Sequence, residues 1–147
     1  MVSVDHLANA LSAIVNADRV GKREITLYYF NRLVLNVLSI LKRYGYIEDF
    51  EVVYRSDKYH YPDVPEEELK KHDRPVELRV KLSGRINKAG VIKPRIPVSK
   101  DEIDQRAKKL LPARDIGLVI LTTSKGVLTH LEARRLGIGG RLVAYVY

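Results

Sequence analysis

The sequence predicts an α+β fold of two small lobes. The N-terminal lobe, residues 1–85, has the order αβαββ; the C-terminal lobe, residues 86–147, is mostly antiparallel β with short helices. Three observations carry this reading. Helical and strand periodicities alternate in that order up to Leu82. Pro94 and Pro97 in "VIKPRIPV" exclude a central strand there, so this stretch is an edge strand or an extended arm. The chain then runs through two short capped helices, an apolar strand and a glycine-rich turn before an alternating last strand.

In chain order, the first helix is expected over Val4 to about Ala17. Ser3 is its cap, and Asp5 suits the positive end of its dipole. Leu7, Ala8, Leu11, Ile14 and Val15 recur at helical spacing, while Asp5, Asn9, Ser12 and Asn16 form a stripe of short polar residues. Such a stripe lets a partner backbone approach closely. "EITLYYF" alternates Ile25, Leu27 and Tyr29 as a strand. A second helix follows over Arg32 to Tyr44, capped by Asn31 and closed by Gly45 in the left-handed region. "YIEDFEVVY" and "VELRVKLSG" are two more strands; in the latter Val76, Leu78, Val80 and Leu82 point inward. The stretch between them carries an acidic triplet and three prolines. It reads as an insertion at about 55–75, with one helical turn at Glu66 to Lys71.

In the C-terminal lobe "SKDEIDQRAKKLLP" is a helix opened by a Ser99–Glu102 capping box and stopped by Pro112. "GLVILTT" is a buried strand. "THLEARRLG" is a helix with a second box, Thr129–Glu132, and "GGRLVAYVY" is a strand with Leu142, Ala144 and Val146 on one face.

Net charge is +8 over 147 residues, which favours a polyanionic partner. The excess is uneven: residues 1–50 hold six cations and five anions. From Arg79 to Lys100 there are seven cations and no anion: Arg79, Lys81, Arg85, Lys88, Lys93, Arg95 and Lys100. Asn87, Lys88, Lys93 and Arg95 follow a turn, and a strip lacking acids is repulsive until an anion neutralises it. No apolar run approaches the roughly 18 residues of a membrane span, and no helix has one basic and one wholly apolar face. The N-terminus lacks the basic region of a signal peptide. The absence of cysteine suits a cytosolic protein. His6, His60, His72 and His130 lack metal-ligand spacing and read as surface residues, so neither metal nor cofactor is expected. No nucleophile stands in a catalytic context, and "SKG" lacks the full phosphate-loop pattern. A small-molecule substrate is therefore not expected.

Two further motifs point to RNA. Thr122, Thr123, Ser124 and Lys125 offer hydroxyls and a cation on a tight turn, and Gly126 admits a close backbone. Gly137, Gly139 and Gly140 permit a sharp reversal and clear space for a sugar-phosphate chain. A competing reading takes "SKGVLTHLEARRLGIG" as a helix-turn-helix of a DNA-binding regulator, with Arg134 and Arg135 on the reading helix. Its second helix spans only about two turns and no three-helix core accompanies it.

"LPARDIGLVILTTSKGVLTHLEARRLGIGGRLVAYVY" resembles the C-terminal lobe of the family of small ribosomal subunit protein eight in its archaeal form. "DHLANALSAIVNADRVGK" and "GRINKAGVIKPRIPV" resemble the corresponding archaeal stretches, so the likeness covers nearly all the chain outside residues 55–75. The resemblance implies a primary ribosomal-RNA-binding protein that engages the central domain of small-subunit rRNA and helps organise the platform, beside neighbouring small-subunit proteins. The family's hydroxyl-rich loop maps to Thr122, Thr123, Ser124, Lys125 and Gly126, and its glycine turn to Gly139 and Gly140. Bacterial members commonly carry an acid after the paired glycines, where this chain has Arg141. They often have Ser-Lys before the second helix, where this chain has Asn31-Arg32. The expected RNA-binding set is thus Asn9, Asn16, Arg32, Lys88, Lys93, Arg95, Thr122, Thr123, Ser124, Lys125, Gly126, Gly139, Gly140 and Arg141.

Overall fold

The computed structural model describes residues 5–55, 74–113 and 116–147. The elements are α1 (His6–Arg19), β1 (Glu24–Leu27), α2 (Arg32–Arg43), β2 (Ile47–Arg55), β3 (Arg74–Leu82), β4 (Ala89–Val91), β5 (Pro97–Val98), α3 (Ile103–Leu110), β6 (Leu118–Thr123), β7 (Gly126–Thr129), α4 (His130–Leu136) and β8 (Gly140–Val146). The expected αβαββ order is present, and the fold is α+β. The proposed helical turn at 66–71, most of the insertion, and Ser3 and Val4 lie outside the described residues.

Local chemistry sets most boundaries. Asp5, extended at φ −93°, caps α1 by accepting from the Ala8 N–H, so the helix starts at His6. This moves the expected start at Val4 inward: a residue whose carboxylate reaches back to the first turn sits outside the helix. Asn31 caps α2 through the Val34 N–H, and Gly45 follows that helix at φ +82°. Thr129 accepts from the Glu132 N–H and opens α4. The Ser99–Glu102 box does not form. Glu102 is itself the helical boundary residue and no side chain caps α3; the Ser99 carbonyl accepts from the Glu102 N–H in a plain turn. β1 stops at Leu27, and Tyr29 is 79% exposed, so the strand expected to run on through Tyr29 ends two residues earlier.

Two sheets result. The first has the order β1-β3-β2, all antiparallel; in the second, β4 and β5 both pair with one side of β8, followed by β6 and β7. Edge placement of the proline-bearing stretch is therefore correct. No strand is expected from the sequence at β7, which pairs with β6 directly after the expected turn.

Between the sheets, the inner faces of α1 and α2 meet Leu78, Val80 and Leu82 of β3 and also Leu118, Ile120, Ala144 and Val146 of the second sheet. One apolar cluster thus crosses the expected boundary between lobes at residue 85. A second cluster lies on the other face, where α3 and α4 cover Val119, Leu121, Leu142 and Val98. Each fully buried Leu or Ile contributes about 1.5–3 kcal/mol. The register of β8 explains one correction. Ile120 pairs with Ala144 but Leu121 with Leu142, so Val143 is an extra residue. That bulge reverses the alternation, and Leu142 faces the second cluster while Ala144 and Val146 face the first.

Candidate nucleic-acid interface

Both helices begin at the same end of the molecule. A depression of about 290 Å³ there is lined by Asp5, His6, Leu7, Asn31, Leu33, Lys93 and Arg95. At the other end of α2, the Tyr44 hydroxyl donates to Glu132 of α4 at 3.2 Å, and Arg43 pairs with the same oxygen at 3.3 Å. α2 also packs on β7. It therefore runs along that strand with its N-terminus toward the β6–β7 hairpin tip.

The edge of the second sheet is interrupted at this corner. Ile92 donates to the Val143 carbonyl, and the Ile96 carbonyl accepts from Leu142. Lys93, Pro94 and Arg95 loop out between these bonds, opposite the bulge in β8. Lys93 Nζ lies 2.7 Å from Asp5 Oδ2. This pair, then the Ala8 N–H bond, holds the Asp5 carboxyl below its ordinary pKa of 3.8.

One register step further, Pro97, Arg141, Thr122 and Val127 stand abreast on β5, β8, β6 and β7. With strands about 4.8 Å apart, this row is about 14 Å wide. Alternation from Ile120 puts Thr122 on the face that carries α1 and α2, and Arg141, directly opposite it, is exposed. The turn beyond is fixed by Thr123. Its Oγ1 accepts from the Lys125 N–H at 3.1 Å and donates to the Gly126 carbonyl at 2.8 Å. Ser124 and Lys125 are then left exposed at the tip.

The corner thus gathers Arg32, Lys93, Arg95, Lys125 and Arg141, all exposed, with Thr122, Thr123, Ser124 and Gly126. Asn9 is exposed one turn along α1 from Asp5. The glycine pair has a role within the fold. A Cβ on Gly139 would meet the Val98 carbonyl oxygen, and one on Gly140 the Thr122 carbonyl oxygen. These glycines clear space for the chain's own backbone and so seat the hairpin against β8.

Two expected residues lie elsewhere. Asn16 is near the C-terminal end of α1, on a groove it shares with Lys22 and β1. Lys88 is bonded through its backbone to Tyr147. At 1.5 Å per residue, the eleven positions from Asp5 to Asn16 span about 16 Å. The basic strip is also less uniform than its sequence. Arg79 pairs with Glu51 at 3.8 Å and Glu77 at 3.6 Å. Lys81 stands opposite Glu24 and Asp49. Neighbouring strands supply the acids that the local window lacks. His130 is 4% exposed, not a surface residue; its Nδ1 accepts from the Val119 N–H at 3.1 Å.

The helix-turn-helix reading fails on geometry. The segment from Gly126 to Arg141 is strand, helix, strand, with α4 packed on β6, β7 and α3. What the corner offers is cations, hydroxyls and helix N-termini on a broad shelf, suited to sugar-phosphate and local base contacts.

Comparison with known proteins agrees with that chemistry. A family model described as ribosomal protein S8 matches residues 5–147. A curated relative from Caldivirga maquilingensis, named small ribosomal subunit protein uS8, is 45% identical over 149 residues, with 100% of both chains covered.

Proposed function

Because the chain belongs to the ribosomal protein S8 family, we propose that it is a structural, non-catalytic protein of the cytoplasmic small ribosomal subunit that binds ribosomal RNA through the corner described above. Its RNA partner is the central domain of small-subunit rRNA, where early binding helps organise the platform beside neighbouring proteins.

The convergence of Lys93, Arg95 and Arg141 with the Thr122–Gly126 hairpin carries this reading. Residues far apart in the chain meet where two helix N-termini add further positive potential. Exposed guanidinium and ammonium groups neutralise phosphates and release counterions. The Ser124 hydroxyl donates and accepts, so it can engage a 2′-hydroxyl or a base edge. A-form RNA hides its deep groove from side chains, so the broad shelf reads the shape of an irregular helix.

The test is the salt dependence of binding to small-subunit rRNA, with duplex DNA as competitor. Five corner cations give a log–log slope of about −4 or steeper, at roughly −0.9 per phosphate. A salt-independent affinity, or displacement by equal amounts of duplex DNA, contradicts the reading.

A further inference from the structure

We propose a second phosphate-backbone site at the opposite end of α1, formed by Arg19, Lys22, Arg23, Arg85 and Lys88. It takes the same folded rRNA one helix length from the corner, and so rests on the RNA-binding reading above.

Two loops build this cluster. The Asp18 carboxylate, at the end of α1, accepts from the Gly84 N–H at 2.9 Å and the Ile86 N–H at 3.0 Å. Leu82 donates to the Arg23 carbonyl at 2.8 Å, and Lys22 to the Ala17 carbonyl at 3.0 Å. The α1–β1 turn is thereby clasped to the β3–β4 turn, and Lys88 follows two residues beyond Ile86. All five cations are exposed, and none forms a salt bridge among the described residues. The adjoining acids are engaged or outnumbered. Asp18 is held by two backbone donors, Glu24 faces Lys81, and Asp49 pairs with Lys42 at 2.9 Å, which leaves Glu48. A helix C-terminus carries only about half a negative charge, which a single cation more than answers. Arg19 answers that need; the other four exceed it.

The two sites lie on one line. Asp5, Asn9, Ser12, Asn16 and Arg19 recur at helical spacing along α1, and from Asn9 onward all are exposed. Lys93 marks the start of this stripe and Arg19 its end. The helix has 14 residues, about 20 Å. A polynucleotide lying along α1 meets cations at both ends and short amide and hydroxyl groups between them. This also gives a place to Lys88 and Asn16, which the corner does not hold.

The experiment compares the intact wild-type chain with Lys22→Gln/Arg23→Gln/Arg85→Gln/Lys88→Gln on a small-subunit rRNA transcript. Four lost phosphate contacts reduce the log–log salt slope by about 3–4, and the double variant Lys22→Gln/Lys88→Gln reduces it by about 2. The double variant retains the loop cations nearest the clasp and guards against loss of folding, which circular dichroism monitors. A wild-type chain that binds rRNA, with variants of unchanged slope, overturns the second site alone; the cluster then serves something other than RNA, such as an acidic protein. A wild-type chain that fails to bind the transcript overturns both readings.

Discussion

Lys93 Nζ lies 2.7 Å from Asp5 Oδ2, while Asp5 Oδ1 accepts from the Ala8 N–H at 3.0 Å. One carboxylate therefore starts α1 and anchors the blister that carries Arg95. The side chain of Lys93 remains 63% exposed, so the pair orients the lysine without removing it from an incoming phosphate.

Asp5→Ala removes both bonds and is expected to cost about 1 kcal/mol, the usual worth of an N-cap. Asp5→Asn keeps an acceptor for Ala8 but not the charge, and should cost less. The folded pKa of Asp5 is depressed, so its contribution is complete above the ordinary value of 3.8 and is lost as pH falls through the lower folded value. Urea melts of wild type and both variants between about pH 2 and 6 check this, since the wild-type advantage over Asp5→Ala should shrink only in the acid range.

Gly140→Ala drives a methyl group into the Thr122 carbonyl oxygen. The expected loss is about 1–3 kcal/mol, typical of overpacking against immovable backbone. RNA affinity should fall with it, because the hairpin is displaced from β8. Thermal denaturation and rRNA titration of the same variant test the two effects together.

Thr123 and Ser124 should separate structure from contact. Thr123→Val breaks the two hydrogen bonds that close the turn and should cost about 1 kcal/mol or more. Ser124→Ala, at an exposed tip, should leave stability within about 0.5 kcal/mol while weakening specific RNA more than nonspecific RNA. Equal losses for both RNAs would show that the tip is scaffold only.

His130 should titrate below its ordinary value of 6.5, because burial disfavours the charged ring and Arg134 repels it; Asp104, paired with Arg134 at 3.1 Å, opposes the shift. Nδ1 already accepts from Val119, and protonation there would set two N–H groups against each other. A depressed folded pKa gives stability that is full above 6.5 and declines as pH falls through the folded value. Imidazole resonances followed by NMR from pH 7.5 to 4.5 should show no titration near 6.5 for this residue.

What could be read from the sequence was mostly local. Asn31 and Gly45 bracket α2 because cap and left-handed glycine act within one turn of the chain. Thr129 opens α4 for the same reason, and Pro94 and Pro97 mark an edge because each lacks a ladder donor. What could not be read depends on partners in space. The direction of Leu142 turns on a bulge seen only against β6. The apparent single strip of cations divides because β1 and β2 bring Glu24, Asp49 and Glu51 to Arg79 and Lys81, while Lys88 and Lys93 lie beyond opposite ends of β4. The close approach of Gly139 and Gly140 to the Val98 and Thr122 carbonyls is not legible either, because those residues come from distant strands. Lys93, Arg95, Arg141 and the 122–126 hairpin stand out singly in the sequence by charge and hydroxyl content, but that they share one corner follows only from the pairing of β5, β6, β7 and β8.

The most direct measurement is chemical footprinting of small-subunit rRNA with the wild-type chain and with Arg95→Gln/Arg141→Gln. The account predicts protection confined to a segment of the central domain and weakened by the double variant. Absence of protection, or protection that the variant leaves unchanged, would contradict it.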